Sequence, residues 1–395
     1  MKVVQINATC GVGSTGKICV EISNVLTANN IENYILFSSK TNGYPLGIQC
    51  SGDRYIKMQA FKSRLAGNYG FNSKKATQKM IDALERIKPD IVHLHNIHGH
   101  DCNLEMLFSY FKKYNTKLFW TFHDCWAFTA YCPHFTMVKC NKWKNGCDNC
   151  PQVKEISMFF DKSSSLYQKK KNLFSNLDLT IITPSKWLAD EVKQSFLKTY
   201  PIIVINNGID LNVFKPIKSN FREKHNIPVD KKILLGVAFD WGVRKGLDIF
   251  IDLAKKLDPA YYQIVLVGTN KKIDKHIPSN IISIHNTQNK QELAKIYTAA
   301  DIFINPTREE NYPTVNMEAL ACGIPVITFD TGGSPEIIDD SCGVVVPKND
   351  INQLDKEINL ICNEKTFSTE FCLHRAKSFD AGKCFEKYVK LYLGE

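Results

Sequence analysis

The chain has 395 residues, of which 44% are hydrophobic and 23% charged, and a net charge of +10 at pH 7. That length calls for two or three domains with ample core, and the composition excludes a disordered or collagen-like chain. No apolar run approaches the ~20 residues of a membrane span, and the stretch MKVVQINATCGVG is too short in apolar residues for a secretory signal. A cytoplasmic protein with its fourteen cysteines reduced is the expectation. The positive charge suits an anionic partner (a nucleotide, an anionic lipid or a nucleic acid) or serves solubility alone. No zinc-finger, RRM or basic-zipper pattern supports nucleic acid.

Residues 2–8 read as a first buried strand. Gly11-Val12-Gly13-Ser14-Thr15-Gly16-Lys17 follows, then a helix over 18–29. Gly11-x4-Gly16-Lys17 falls short of a P-loop, because Ile18 stands where a hydroxyl would hold Mg²⁺. The Gly-x-Gly-x-x-Gly match lacks a clearly placed acidic residue about twenty positions on. A tight strand-to-helix turn satisfies these residues equally well. Residues 33–38 read as a second strand, 39–74 are polar and unplaced, and 76–87 read as a helix. The strand over 89–96 carries His93 and His95 in alternation, which puts them on one strand face rather than around a metal. A helix over 104–114 and a strand over 117–122 lead to His123-Asp124. A histidine at a strand's C-terminal end can act as a base, donate to a sugar, or simply satisfy a backbone carbonyl.

Cysteines then crowd: Cys125, Cys132, Cys140, Cys147 and Cys150. The last four could supply thiolates to a tetrahedral structural Zn²⁺, which would hold an otherwise irregular loop, or they could be free thiols in a partly buried one. The basic helix over 163–175, with Lys169, Lys170 and Lys171, could touch an anionic membrane or be a solvated charge run. A strand over 179–183 precedes a helix capped by Ser185. The strand over 202–205 runs into an Asn-Gly turn, Asn206-Asn207-Gly208.

Strand and helix alternate again beyond it. A strand over 233–239 leads to Arg244-Lys245-Gly246, two cations at a strand-to-helix junction that could clamp a diphosphate or be surface charge. Strands over 262–268 and 281–285 and a helix over 291–298 come next. Ile302-Phe303-Ile304 is a buried strand, and a helix begins near Thr314 and ends at Gly323. Glu310 in the loop and Glu318 in the first turns of that helix can point to one place outside the strand ends and accept hydrogen bonds from vicinal diols. Read alone, they could equally be acidic residues favoured near a helix start. Thr331-Gly332-Gly333-Ser334-Pro335-Glu336 is a Gly-rich turn into a further helix, 343–346 a strand, and 381–393 a last helix.

Glu310-x7-Glu318 followed by Ala319-Leu320-Ala321-Cys322-Gly323-Ile324-Pro325-Val326 resembles the family 4 retaining glycosyltransferases. The likeness extends over nearly the whole chain. It implies an α/β chain of two doubly wound Rossmann-like domains facing a cleft, the GT-B fold. The domains would be 1–212, with a Cys-rich insertion over 125–151, and 213–378, with 379–395 returning to the first. It implies a hexosyltransferase that moves a sugar from a nucleoside diphosphate sugar to an acceptor hydroxyl, with no catalytic metal. The expected acceptor is a lipid-linked glycan of a surface polysaccharide such as capsule or lipopolysaccharide, met at the inner face of the membrane. A nucleotide-sugar epimerase or a glycan phosphorylase is the alternative on the same architecture. By the same resemblance Gly13, Gly16 and Lys17 lie against the donor phosphates and acceptor, His123 faces the transferred sugar, and Arg244 and Lys245 bind the pyrophosphate. Glu310 would hold the sugar hydroxyls and Glu318 the ribose diol. Where many members have glycines after the first glutamate, this chain has Asn311-Tyr312-Pro313-Thr314. Pro313 has no N–H, so Asn311, Tyr312 and Thr314 remain as backbone donors.

Overall fold

A computed structural model of the chain describes residues 1–364 and 366–395. It divides into two compact units, Met1–Asn206 with Phe385–Glu395, and Asn207–Cys384. Each is built on one parallel sheet. Its strands are short, nearly continuous apolar runs, the pattern of strands covered on both faces.

The first sheet contains β1 (Lys2–Asn7), β2 (Glu32–Phe37), β3 (Gly47–Gln49), β4 (Ile91–Leu94), β5 (Leu118–Thr121), β6 (Leu179–Thr183) and β7 (Ile202–Val204). Their order is β3-β2-β1-β4-β5-β6-β7, with every neighbouring pair parallel. The second contains β8 (Lys232–Val237), β9 (Tyr262–Val267), β10 (Ile281–Ile284), β11 (Ile302–Asn305), β12 (Val326–Phe329) and β13 (Gly343–Val346). Its order is β10-β9-β8-β11-β12-β13, again parallel throughout. Strand order therefore reverses direction between β1 and β4 in one sheet and between β8 and β11 in the other. Those two points are where a doubly wound sheet leaves room for a ligand at its strand ends.

Alternation along β8 shows how the second unit is filled. Ile233 and Leu235 pack with Phe303, Met317 and Leu320 on one face, while Leu234 packs with Phe250, Leu253 and Leu354 on the other. In the first unit an aromatic group of Phe108, Phe111, Trp120 and Phe174 closes the core, each 2% exposed or less. The last helix, Ala381–Leu393, is tied to the first sheet. Tyr392 hydrogen-bonds His93 on β4, and the Tyr388 hydroxyl lies 3.2 Å from Thr121 Oγ1 on β5.

Three segments differ from expectation. The unplaced stretch holds β3 and a helix, Asp53–Ala66, whose buried residues are the polar Gln59 and Ser63. It has no apolar stripe to reveal it. The basic helix, Ser163–Leu173, buries Lys170 completely. Lys170 Nζ donates to the carbonyls of Trp126 (2.7 Å) and Thr129 (3.0 Å) and sits 3.3 Å from the Trp126 ring centroid. Its central cation is a packing group, and this corrects the picture of three lysines offered together to a membrane. The Gly-rich turn at Thr331 leads only to a single 3₁₀ turn, Pro335–Ile337.

Candidate functional site

The second unit gathers charge at the β8/β11 switch point. After β8 the chain makes a 3₁₀ turn, Val243–Lys245, and Gly246 follows with φ of 75°. A Cβ at Gly246 would lie 2.5 Å from the Pro306 carbonyl oxygen, so only glycine lets this turn press against the loop after β11. The same loop is held from the other side. The Arg308 N–H donates to the Arg244 carbonyl (2.8 Å), and the Arg308 guanidinium makes a two-pronged bridge to Asp248 at 2.7 Å on each prong. So fixed, Lys245 Nζ meets Glu310 Oε2 at 2.5 Å, with both side chains less than one-fifth exposed. Glu310 Oε1 also accepts from the Asn311 N–H at 3.1 Å.

Glu318 lies in the helix Thr314–Ala321, where its Oε2 accepts from the buried hydroxyl of Tyr297 at 3.1 Å. That contact orients the carboxylate, and nothing in the sequence pointed to Tyr297 as the partner. Asn311 and Tyr312 are buried, and the Asn311 carbonyl accepts from the Gly333 N–H at 2.8 Å, joining the loop after β11 to the one after β12. The side chains of Asn316, Thr331 and Ser334 each keep a buried polar atom without a partner. Hydrogen-bonding capacity is therefore left unspent near these strand ends. A separate cavity of 630 Å³, lined by Phe239, Gly268, Thr269, Asn270 and His285 among others, opens beyond β8, β9 and β10.

The first unit presents a different surface at the β1/β4 switch point. Gly13 opens the helix Gly13–Ala28 at φ of 71°, exposed and with nothing within 4 Å of where a Cβ would stand. Gly16 is required for space, since a Cβ there would meet Thr9 Oγ1 at 2.6 Å. Lys17 points from the same first turns to solvent.

His123 follows β5, and its Nε2 lies 3.1 Å from His95 Nδ1. His95 Nε2 in turn lies 3.0 Å from Gln5 Oε1, and the Gln5 amide donates to the Cys19 carbonyl at 2.9 Å. Burial lowers the pKa of His95 well below the usual histidine value and brings that of His123 to about 4, against the opposing pull of Asp124. Both rings are therefore neutral at pH 7, and His123 is a hydrogen-bonding group there rather than a cation. Beside it His98 Nε2 contacts Asp124 Oδ2 at 2.8 Å. Burial alone would raise Asp124, but the charge and hydrogen bond of His98 hold it at about 2. Gln5 sits inside β1 among apolar neighbours, where no motif marks it, and His95 just beyond β4 stood out in the sequence only by its alternation with His93.

The cysteine loop does not match the zinc expectation for Cys132, Cys140, Cys147 and Cys150. All fourteen cysteines are free thiols, and among the described residues no group of three or more His, Cys, Asp or Glu is arranged to hold a metal ion. The sulfurs are spent otherwise. Cys132 and Cys150 hydrogen-bond each other, which holds the Cys150 thiol at about 7 and pushes Cys132 up, while Cys147 takes a backbone N–H from Ala130. The loop is pinned by Trp143 and Phe135, whose rings lie 4.9 Å apart in the core.

Residues 16–213 match the family model Glycosyltransferase Family 4, and residues 217–374 match Glycosyl transferases group 1. A protein of Escherichia coli K12 named as a colanic acid biosynthesis glycosyl transferase is 25% identical over 320 residues, covering 77% of this chain and 76% of its own. Among solved structures, the sucrose-phosphate synthase of Thermosynechococcus elongatus superposes with a TM-score of 0.74 at 17% identity, over 100% of this chain and 98% of its own. Anabaena HepE in complex with UDP-glucose superposes with a TM-score of 0.68 at 13% identity, over 100% of both chains.

Proposed function

The chain belongs to Glycosyltransferase Family 4 and has the GT-B fold, and from that premise we propose how it works. It moves a sugar from a nucleoside diphosphate sugar to a hydroxyl of a growing surface glycan, with retention at the anomeric carbon. The observation that carries the donor reading is the Lys245–Glu310 contact at the β8/β11 switch point. A cation for a diphosphate and a carboxylate for sugar hydroxyls stand side by side where a doubly wound sheet receives its ligand.

Arg244 and Lys245 stabilise the charge that develops on the leaving diphosphate, as fixed donors that need no reorganisation during the reaction. Glu310 accepts from hydroxyls of the transferred sugar. The backbone N–H groups of Asn311, Tyr312 and Thr314 are the further donors of that loop. Glu318, oriented by Tyr297, takes the ribose diol. On the first unit exposed Gly13 leaves the backbone open to phosphate and acceptor, Gly16 lets that turn close against Thr9, and neutral His123 serves the transferred sugar as a hydrogen-bond partner. A UDP-sugar is the first donor to try, since HepE was crystallised with UDP-glucose. The colanic acid relative supports a surface-polysaccharide acceptor, here proposed as lipid-linked and reached from the cytoplasm.

Product analysis tests this. Nucleoside diphosphate should appear only when donor and acceptor are both present, and the new glycosidic bond should keep the donor's anomeric configuration by NMR. Turnover of the donor without acceptor would favour epimerase chemistry and overturn the reading.

A further inference from the structure

We propose that the His98–Asp124 pair beyond β4 and β5 determines which acceptors the first unit takes. Asp124 receives hydrogen bonds from acceptor hydroxyls, and the cancelled charge of the pair restricts it to uncharged sugars. This rests on the transferase reading and names a substrate class for it.

Asp124 directly follows His123, and His98 lies in the loop after β4, the neighbour of β5 in the sheet. Both stand at strand C-terminal ends, where a doubly wound sheet receives ligands. The side chains of His98 and Asp124 are 19% and 13% exposed, sheltered yet within reach of a ligand. His98 Nε2 donates to Asp124 Oδ2 at 2.8 Å, and the Trp126 N–H donates to Oδ1 at 2.9 Å. A carboxylate has about four acceptor positions, and these bonds use two of them. The others can take neighbouring hydroxyls of a sugar.

The second ring nitrogen settles the charge of His98. The Tyr69 hydroxyl donates to the His98 carbonyl at 2.6 Å, so its proton is spent, and its oxygen lies 3.3 Å from His98 Nδ1. That oxygen is left to accept from the ring. Both nitrogens of His98 are then donors, which makes it an imidazolium. The Asp124 carboxylate raises the His98 pKa against the effect of burial. Tyr69 is itself fixed. Gly70 beside it has φ of 85°, and a Cβ there would stand 3.0 Å from Leu104 Cδ1 and 3.3 Å from the Trp126 ring. The stretch 39–74, which no sequence pattern placed, thus supplies a residue that positions His98.

A sheltered ion pair adds little net stability beyond apolar groups of the same volume, so stability alone does not account for one at the strand ends. Its charges do select a ligand. His98 repels a cationic sugar and Asp124 an anionic one, whereas a neutral polyol meets no repulsion. The adjacent His123 is neutral as well. The other ionisable groups that act on His98 besides Asp124 are an acid and a base, Asp101 and Lys170, and both are buried away from any ligand.

The test is saturation-transfer NMR of the full chain with UDP present. The probes are the p-nitrophenyl glycosides of glucose, galactose and mannose, with the glucosaminide as the cation and the glucuronide as the anion. At least one neutral glycoside should bind and both charged ones should fail. Asp124→Asn should weaken the neutral glycoside by about tenfold, while UDP binds as to the wild type in calorimetry and the near-UV circular dichroism is kept. His98→Gln leaves the carboxylate uncompensated and should admit the glucosaminide, an outcome that a merely structural pair would not produce. It also keeps the test open should Asp124→Asn fail to fold. The proposal is overturned if no neutral glycoside binds the wild type, if folded Asp124→Asn binds it equally well, or if folded His98→Gln still excludes the cation. Binding of a neutral glycoside that receives no sugar from any UDP-sugar would support the pair's selectivity and count against the transferase reading instead.

Discussion

The two sheets share a winding and differ in what they deliver to their strand ends. At the β1/β4 switch point and the neighbouring end of β5 the first unit has open glycine backbone and a neutral chain of Gln5, His95 and His123. At the β8/β11 switch point the second has Lys245, Glu310 and a bridged Arg308, half-buried and charged. The fold supplies a place twice, and the side chains decide what can occupy it. A charged site can grip a diphosphate, whereas a neutral one can only hydrogen-bond.

That contrast can be broken by substitution. The largest effect is expected at Lys245. Lys245→Ala should lower turnover by about 10²-fold or more, the scale of a lost preorganised charge donor. Arg244→Ala should do the same, and near-normal steady-state rates in both would remove the clamp. Next is Gly246→Ala, which forces a left-handed residue against the Pro306 carbonyl and should cost ~3 kcal/mol in denaturant unfolding. An unchanged midpoint would show that the turn can shift away from its loop.

In the first unit, Asp124→Asn removes the partner of His98 and should destabilise by ~2 kcal/mol near pH 6. The carboxyl is held at about 2 against an ordinary value of 3.8, so its contribution is full above 3.8 and is lost as pH falls through 2. His98 is raised by Asp124 even though burial works against it, so its share is full below 6.5 and is lost as pH rises through its folded value. Thermal melts should therefore show the widest gap between variant and wild type from about pH 4 to 6.5. A gap that stays constant down to pH 2 would mean the pair is not the cause. The smallest effect is Tyr297→Phe, which frees Glu318 to rotate. It should raise the donor KM about five-fold with little change in kcat, consistent with the loss of one hydrogen bond. An equal fall in kcat would place Glu318 on the reacting sugar rather than the ribose.

Much of the scaffold could be read from residues alone. The helices Leu104–Tyr114 and Ala381–Leu393 and the strands Leu179–Thr183 and Gly343–Val346 have the bounds their apolar patterns announce. Ser185 does cap its helix, accepting from the Leu188 N–H at 3.1 Å. The misses have a common cause, which is that a neighbour distant in sequence took over a residue's role. The helix Asp53–Ala66 buries polar Gln59 and Ser63, and Lys170 looks like a surface cation until two carbonyls and an indole ring enclose it. In the cysteine loop, too, the partners are set by the fold: Cys132 meets Cys150, and Cys147 a backbone donor at Ala130.

Periodicity, the placing of glycines and the charges at strand ends are local properties. The amino-acid order therefore determined by itself that this chain alternates strand and helix, restarts once, and carries Arg244, Lys245, Glu310 and Glu318 at junctions. Which charges meet is a long-range property. Lys245 and Glu310 are sixty-five positions apart and touch only because β8 and β11 are neighbours in the sheet. His93 and Tyr392 are separated by 299 positions and touch only because the last helix lies on the first sheet. Such contacts exist only once the sheets have ordered their strands, and that was for the tertiary structure to decide.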